Sequence, residues 1–185
     1  QSTNSKRDAL IAFIRESDPL ESALALEALT DRTRGKRLKP NALKQTAYLA
    51  FGGDRWLFEE CYGAVGDLSE TLAILFADQE TSPEITQPVL ADWIFRQEEL
   101  GRLELGELAN ELLSLLKTFS KDEAFLFLKL SSGGFRVGVN KGLVHDAVAQ
   151  AVAMDRAIIE ERLMGEFIAD GDWLHRLQSP VTQDE

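Results

Sequence analysis

A chain of 185 residues, 44% of them hydrophobic, has material for one core and is short for several independent domains. It contains no run of about 18 apolar residues, which excludes a membrane-spanning helix. Its single cysteine, Cys61, excludes an internal disulfide and fits a reducing, cytoplasmic setting. A formal net charge of −11 argues against indiscriminate nucleic-acid binding.

In chain order the pattern is helical. Asn4 or Ser5 can cap a first helix whose apolar stripe is Leu10, Ile11, Phe13 and Ile14. Asp18-Pro19-Leu20-Glu21 is a second start signal, with Asp as N-cap, proline at the first helical position and Glu three residues after the cap. That helix runs through Leu24, Leu26 and Leu29 into a basic loop, Thr30–Lys39. Pro40 opens the next helix, with Leu43, Ala47 and Phe51 facing inward and Gly52-Gly53 stopping it. From Arg32 to Gly53 there is no acid, and six cations (Arg32, Arg34, Lys36, Arg37, Lys39 and Lys44) give +6.

Asp54 caps a helix with Trp56, Leu57, Phe58, Cys61 and Tyr62 as core candidates. Gly66-Asp67-Leu68-Ser69-Glu70 is a break and a capping pattern leading to Leu72, Ile74, Leu75 and Phe76. Asp78 to Pro88 is polar, contains two prolines and reads as a surface loop that could divide the chain into two lobes. Helices follow at about Pro88–Leu100, carrying Leu90, Trp93, Ile94 and Phe95, and at about Glu104–Phe119, carrying Leu105, Leu108, Leu112, Leu115 and Leu116. Ser120-Lys121-Asp122-Glu123 is a further capping box.

The stretch Leu126–Val148, LFLKLSSGGFRVGVNKGLVHDAV, stands apart. An apolar helix reaches Ser131-Ser132-Gly133-Gly134, a short extended segment Phe135–Val139 follows, and Asn140 opens another helix. From Ala124 to His145 there is again no acid, and the charge is +3, which leaves −20 on the residues outside the two acid-free windows. Salt screens charges beyond about 8–10 Å, so the local field decides a contact, and the two windows could form one basic face on an acidic body. Glycines that admit close approach, exposed amides and the spaced cations Lys129, Arg136 and Lys141 suit a phosphodiester backbone. The same residues also read as a helix C-cap, a turn and an N-cap with ordinary surface charges. Beyond them, Asp155 caps a helix through Ile158, Ile159, Leu163 and Met164 that ends at Gly165, and the tail holds Phe167, Trp173 and Leu174 before turning polar at Ser179-Pro180.

The expected fold is all-α: one domain of about ten mostly short helices, with no repeat period and two lobes as an option. No catalytic constellation is legible. His145 and His175 lie far apart without a Cys partner. Cys61 sits on an apolar helical face. Glu59-Glu60 and Glu160-Glu161 are sequence neighbours that point different ways on a helix. Ser132-Gly133-Gly134 lacks the P-loop pattern. Trp56, Trp93 and Trp173 have the spacing of core residues rather than of a base-stacking platform.

Two stretches go further. LFLKLSSGGFRVGVNKGLV resembles the signature of the N-terminal DNA-binding domain of ATP-dependent DNA ligases, in which an apolar helix with a Lys leads to Gly-Gly, a hydrophobe-Arg-hydrophobe-Gly run and a helix opening with Leu-Val. WLFEECYGAVGDLSETLAIL resembles the Gly-Asp segment of the same family in its bacterial form, and Thr3–Lys6 and Arg162–Gly165 agree more weakly at either end. The resemblance implies an enzyme that seals nicks in DNA repair, replication and recombination. It uses ATP and Mg2+ to adenylylate a lysine in a K-x-D-G motif, passes the AMP to a 5′-phosphate and displaces it with the 3′-hydroxyl. This chain has no K-x-D-G, and its one Asp-Gly pair, Asp170-Gly171, has Ile168 two places before it.

The resemblance therefore implies a non-catalytic DNA-binding piece at residues 1–178, with a clipped start, and a polar linker at 179–185 towards catalytic domains of the same chain. It further implies a monomer that grips nicked duplex DNA across the minor groove without sequence preference. Carried over residue by residue, Gly133, Gly134, Arg136 and Gly138 are the backbone-contacting loop, flanked by Lys129, Ser132, Asn140 and Lys141. Asp67 matches the Gly-Asp pair and is a strong N-cap in its own right. Arg34, Lys36, Arg37 and Lys39 are assigned phosphate contact on charge alone. Two other classes stay open. A helical protein-interaction scaffold fits the net charge and the leucines. A helix-turn-helix factor fits poorly, because the gap from Ser132 to Asn140 is long for that turn.

Overall fold

Capping side chains set where most of the helices begin, and burial of one face of each sets how they pack. The computed structural model describes residues 2–30, 37–78, 89–133, 139–165 and 167–179. Among them are eleven α-helices, no strand, and one isolated parallel bridge between Asp78 and Ser120. Clustering of the backbone gives two compact units, residues 1–33 with 136–185 and residues 34–135. The loop expected to separate two lobes, Asp78 to Pro88, falls inside the second unit, and its residues 79–88 lie outside the described residues.

The unit built from both chain ends contains α1 (Thr3–Glu16), α2 (Pro19–Leu29), α9 (Lys141–Val152), α10 (Arg156–Met164) and α11 (Trp173–Gln178). Ser2, rather than Asn4 or Ser5, caps α1 by accepting from the Ser5 amide. Asp18 caps α2 with Pro19 at its first position, as the sequence predicts. Helix α9 is the central element, burying Leu143, Val144, His145, Ala147, Val148 and Ala149 against α1, α2 and α10. Its last carbonyls would be orphaned at the helix end, and the Arg15 guanidinium donates to those of Gln150 and Ala151 at 2.8 and 3.2 Å. Trp173 buries its ring beside α2, and its indole N–H donates to Ser22 Oγ at 3.1 Å, so this large aromatic is both packed and satisfied.

The other unit contains α3 (Pro40–Ala50), α4 (Arg55–Val65), α5 (Leu68–Phe76), α6 (Leu90–Arg102), α7 (Leu105–Leu116) and α8 (Lys121–Ser132). Leu43, Phe58, Leu72, Leu112, Leu116, Phe127 and Leu128 are its fully buried centre, with α3 laid on α7 and α5 on α8. An aromatic group of Trp93, Phe119 and Phe127, with ring centroids 5.4–5.9 Å apart, joins α6 to α8. The Ser120 capping box is complete, both the Glu123 amide to Ser120 Oγ and the Ser120 amide to the Glu123 carboxylate being present.

Several core assignments fail. In α4 only Phe58 is buried; Trp56 is 69% exposed, and Leu57 is also exposed. The helix packs through a single narrow stripe, so three adjacent apolar residues, Trp56-Leu57-Phe58, cannot all face inward. For the same reason Phe95 of α6, Ile74 of α5, Leu105 of α7, and Ile158 and Met164 of α10 lie on the solvent side.

Candidate nucleic-acid interface

Three helix ends meet at one end of the second unit. Helix α8 starts beside the end of α5, where the Asp78 amide donates to Phe119 O, and runs back antiparallel to it. The end of α8 therefore comes to the start of α5, where Lys129 Nζ donates to Asp67 Oδ2 at 2.5 Å. Helix α3 starts at the same place, because the Leu38 amide donates to Ser131 O at 2.9 Å. Helix α3 has proline at its first position and no side-chain cap on Lys39, so its positive end is open to an anion.

The residues assigned on charge and resemblance are placed as follows. Ser132 ends α8, and Gly133 closes it at φ 79°, the left-handed conformation that glycine adopts without a steric cost. The Arg37 side chain lies directly over that glycine: a Cβ there would come 2.4 Å from Arg37 Nη1. The positive φ favours glycine at 133, and the flexible Arg37 side chain occupies the space its missing Cβ leaves. Arg37 and Lys39 are exposed. Lys129 is only 22% exposed, packs over the Phe125 ring and is committed to Asp67. Arg34, Lys36, Gly134, Arg136 and Gly138 lie outside the described residues.

Asp67 does two jobs. One oxygen accepts from the Glu70 amide at 2.9 Å and caps α5; the other takes the Lys129 ammonium. Partial burial pushes its carboxyl up, but the hydrogen bonds from Lys129 and the Glu70 amide outweigh that and hold it below the usual carboxylate range. The Gly-Asp segment and the glycine-loop segment, 62 residues apart in sequence, are thereby joined by a charged hydrogen bond.

In the other unit, Asn140 Oδ1 accepts from the Leu143 amide at 2.8 Å and caps α9, leaving exposed Lys141 on its first turn. The Arg156 guanidinium lies against that turn, 3.6 Å from where a Gly142 Cβ would sit, and pairs with Asp146 at 3.0 Å. Arg156 adds a cation to the start of α9. Sequence reasoning missed it because it belongs to the following helix and its window contains acids. The structure thus gathers Arg37, Lys39, Asp67, Lys129, Ser132 and Gly133 in one unit and Asn140 and Lys141 in the other.

Among the described residues no group of three or more His, Cys, Asp or Glu side chains is arranged to hold a metal ion, and the chain has no K-x-D-G. No helix among the described residues is long and apolar enough to cross a membrane.

No protein-family model matches the chain. Over 104 residues, 54% of its length, it is 27% identical to the DNA ligase of Methanobrevibacter smithii. Those residues span 19% of that ligase, so the chain corresponds to a minor part of the relative's length. The helices, their two linked motifs and this similarity together support a DNA-ligase-related region.

Proposed function

We propose that this chain is the DNA-binding portion of an ATP-dependent DNA ligase of the bacterial type, and that it holds nicked duplex DNA by its backbone without reading sequence. The observation that carries the reading is the Asp67–Lys129 link. It ties the two motif segments to one end of a unit where the α3 start, Arg37 and Gly133 also lie. In that unit the α3 start with its Asn41 amide, a glycine crossed by a guanidinium and exposed Lys39 would offer contacts to phosphate oxygens. Arg37 and Lys39 in one unit, and Lys141 in the other, would supply charge-assisted hydrogen bonds, with Asn140 fixing the α9 start. Lys129 would act by orienting the α8 end through Asp67, with Gly133 letting the backbone approach. Arg34, Lys36, Gly134, Arg136 and Gly138 lie outside the described residues and keep the phosphate-contacting role that their charge and the resemblance imply.

On this reading the chemistry of nick sealing belongs to other domains of the parent enzyme, and this portion supplies grip and positioning. Fluorescence anisotropy of a labelled nicked duplex, titrated with the protein at several salt concentrations, tests it. The expected outcome is binding that ignores base sequence, with log affinity falling against log salt at about 0.9 per phosphate neutralised. Absence of binding at low salt, or a strong preference for one sequence, would overturn the proposal.

A further inference from the structure

We infer that the groove between α6 and α7 docks a basic amphipathic helix of a partner protein. The groove encloses about 660 Å³. Leu100, Leu103 and Leu115 line it together with Glu99, Glu107 and Glu111. Its single lining cation, Arg96, is taken up by Glu99 at 3.2 Å. Among the described residues neither Glu107 nor Glu111 has an ion-pair partner, and the two stand one turn apart on α7, where like charges repel.

The charge selects the occupant. Residues 90–116 carry six acids and two arginines, in a chain whose excess cations are confined to two other windows. A phosphodiester backbone is repelled here, whereas a row of lysines or arginines would relieve the Glu107–Glu111 repulsion. The shape selects its conformation. The α7 residues lining the groove recur at 107, 110, 111, 114 and 115, one helical stripe, with Thr118 just past the helix end. From Glu107 to Leu115 that stripe extends about 12 Å, room for about two turns of a second helix. A helix with leucine-sized side chains at i, i+3 or i+4, and i+7, flanked by Lys or Arg, would bury its stripe on Leu100, Leu103 and Leu115 while its cations meet the glutamates.

The probe is a capped synthetic 14-residue peptide with a leucine stripe flanked by lysines, compared with a scrambled peptide of the same composition. Amide shifts of the isotope-labelled protein are followed during titration. Perturbation confined to residues 96–118, at least tenfold tighter binding than the scrambled peptide, and at least tenfold weakening in the double variant Glu107→Lys/Glu111→Lys are the expected results. Both changes are on an exposed helix face, so an unchanged thermal transition and unchanged DNA binding control for folding. Equal binding of the scrambled peptide, shifts spread over all acidic surfaces, or indifference to the double reversal would overturn the proposal. So would concentration-dependent self-association abolished by that reversal, which would make a second copy of this chain the occupant.

Discussion

Asp67 offers a clean separation of two roles. Asp67→Asn keeps an oxygen that can accept from the Glu70 amide, because Asn is as good an N-cap as Asp, but it removes the charge that faces Lys129. Asp67→Ala removes both. Loss of the cap costs about 1 kcal/mol. The pair with Lys129 is worth less than about 1 kcal/mol, since the Asp67 side chain is 38% exposed and water screens it. Urea denaturation should therefore place Asp67→Asn within about 1 kcal/mol of the parent, and Asp67→Ala about 1 kcal/mol below Asp67→Asn. The pH dependence follows from the lowered native pKa. The advantage over Asp67→Asn is fully present above the unfolded value of about 3.9 and is lost as pH falls through the lower native value. Because Lys129 orients the α8 end through Asp67, losing that link should weaken affinity for nicked duplex in both variants. Equal destabilisation by both substitutions would refute the capping role. Undiminished DNA affinity in Asp67→Asn would refute the positioning role of the Asp67–Lys129 link.

Other outcomes follow from the same geometry. Gly133→Ala puts a side chain at φ 79° and drives Arg37 aside, so it should cost about 1–2 kcal/mol in urea titrations and also weaken DNA binding. Arg136→Glu should weaken anisotropy-measured binding to all duplex sequences alike, whereas weakening on one sequence only would point to base readout. Ser22→Ala leaves the buried Trp173 indole N–H without its partner and should cost about 1–3 kcal/mol of stability. Ser120→Ala, far from the candidate interface at the opposite end of α8, should cost about 1 kcal/mol through the lost capping box with no change in DNA affinity.

Local signals read well and long-range ones did not. Asp18-Pro19, Asp54, Asp67, Ser120, Asn140 and Asp155 cap where their sequence context predicts, because capping depends on a few neighbouring backbone amides. The all-helical class followed from apolar spacing, with eleven helices among the described residues where about ten were expected. Which face of a helix is buried depends on what lies across from it, and nothing near Trp56 or Phe95 in sequence reports that each faces solvent. The candidate site was legible as two motif segments and two acid-free windows. The Asp67–Lys129 link, Arg37 over Gly133 and Arg156 against Gly142 were not, since each joins residues brought together only by helix packing. Lys129 illustrates the difference: read alone it is a cation for phosphate, and in the fold it is paired.

The central claim is that the two acid-free windows, not the acidic helices, meet DNA. An amide-shift titration of the isotope-labelled chain with a nicked duplex at low salt tests it directly. The account predicts the largest changes at Arg37–Lys39, Ser131–Gly133 and Asn140–Gly142, with little change along α6 and α7. Shifts centred on α6 and α7, or none at all at saturating duplex, would contradict it.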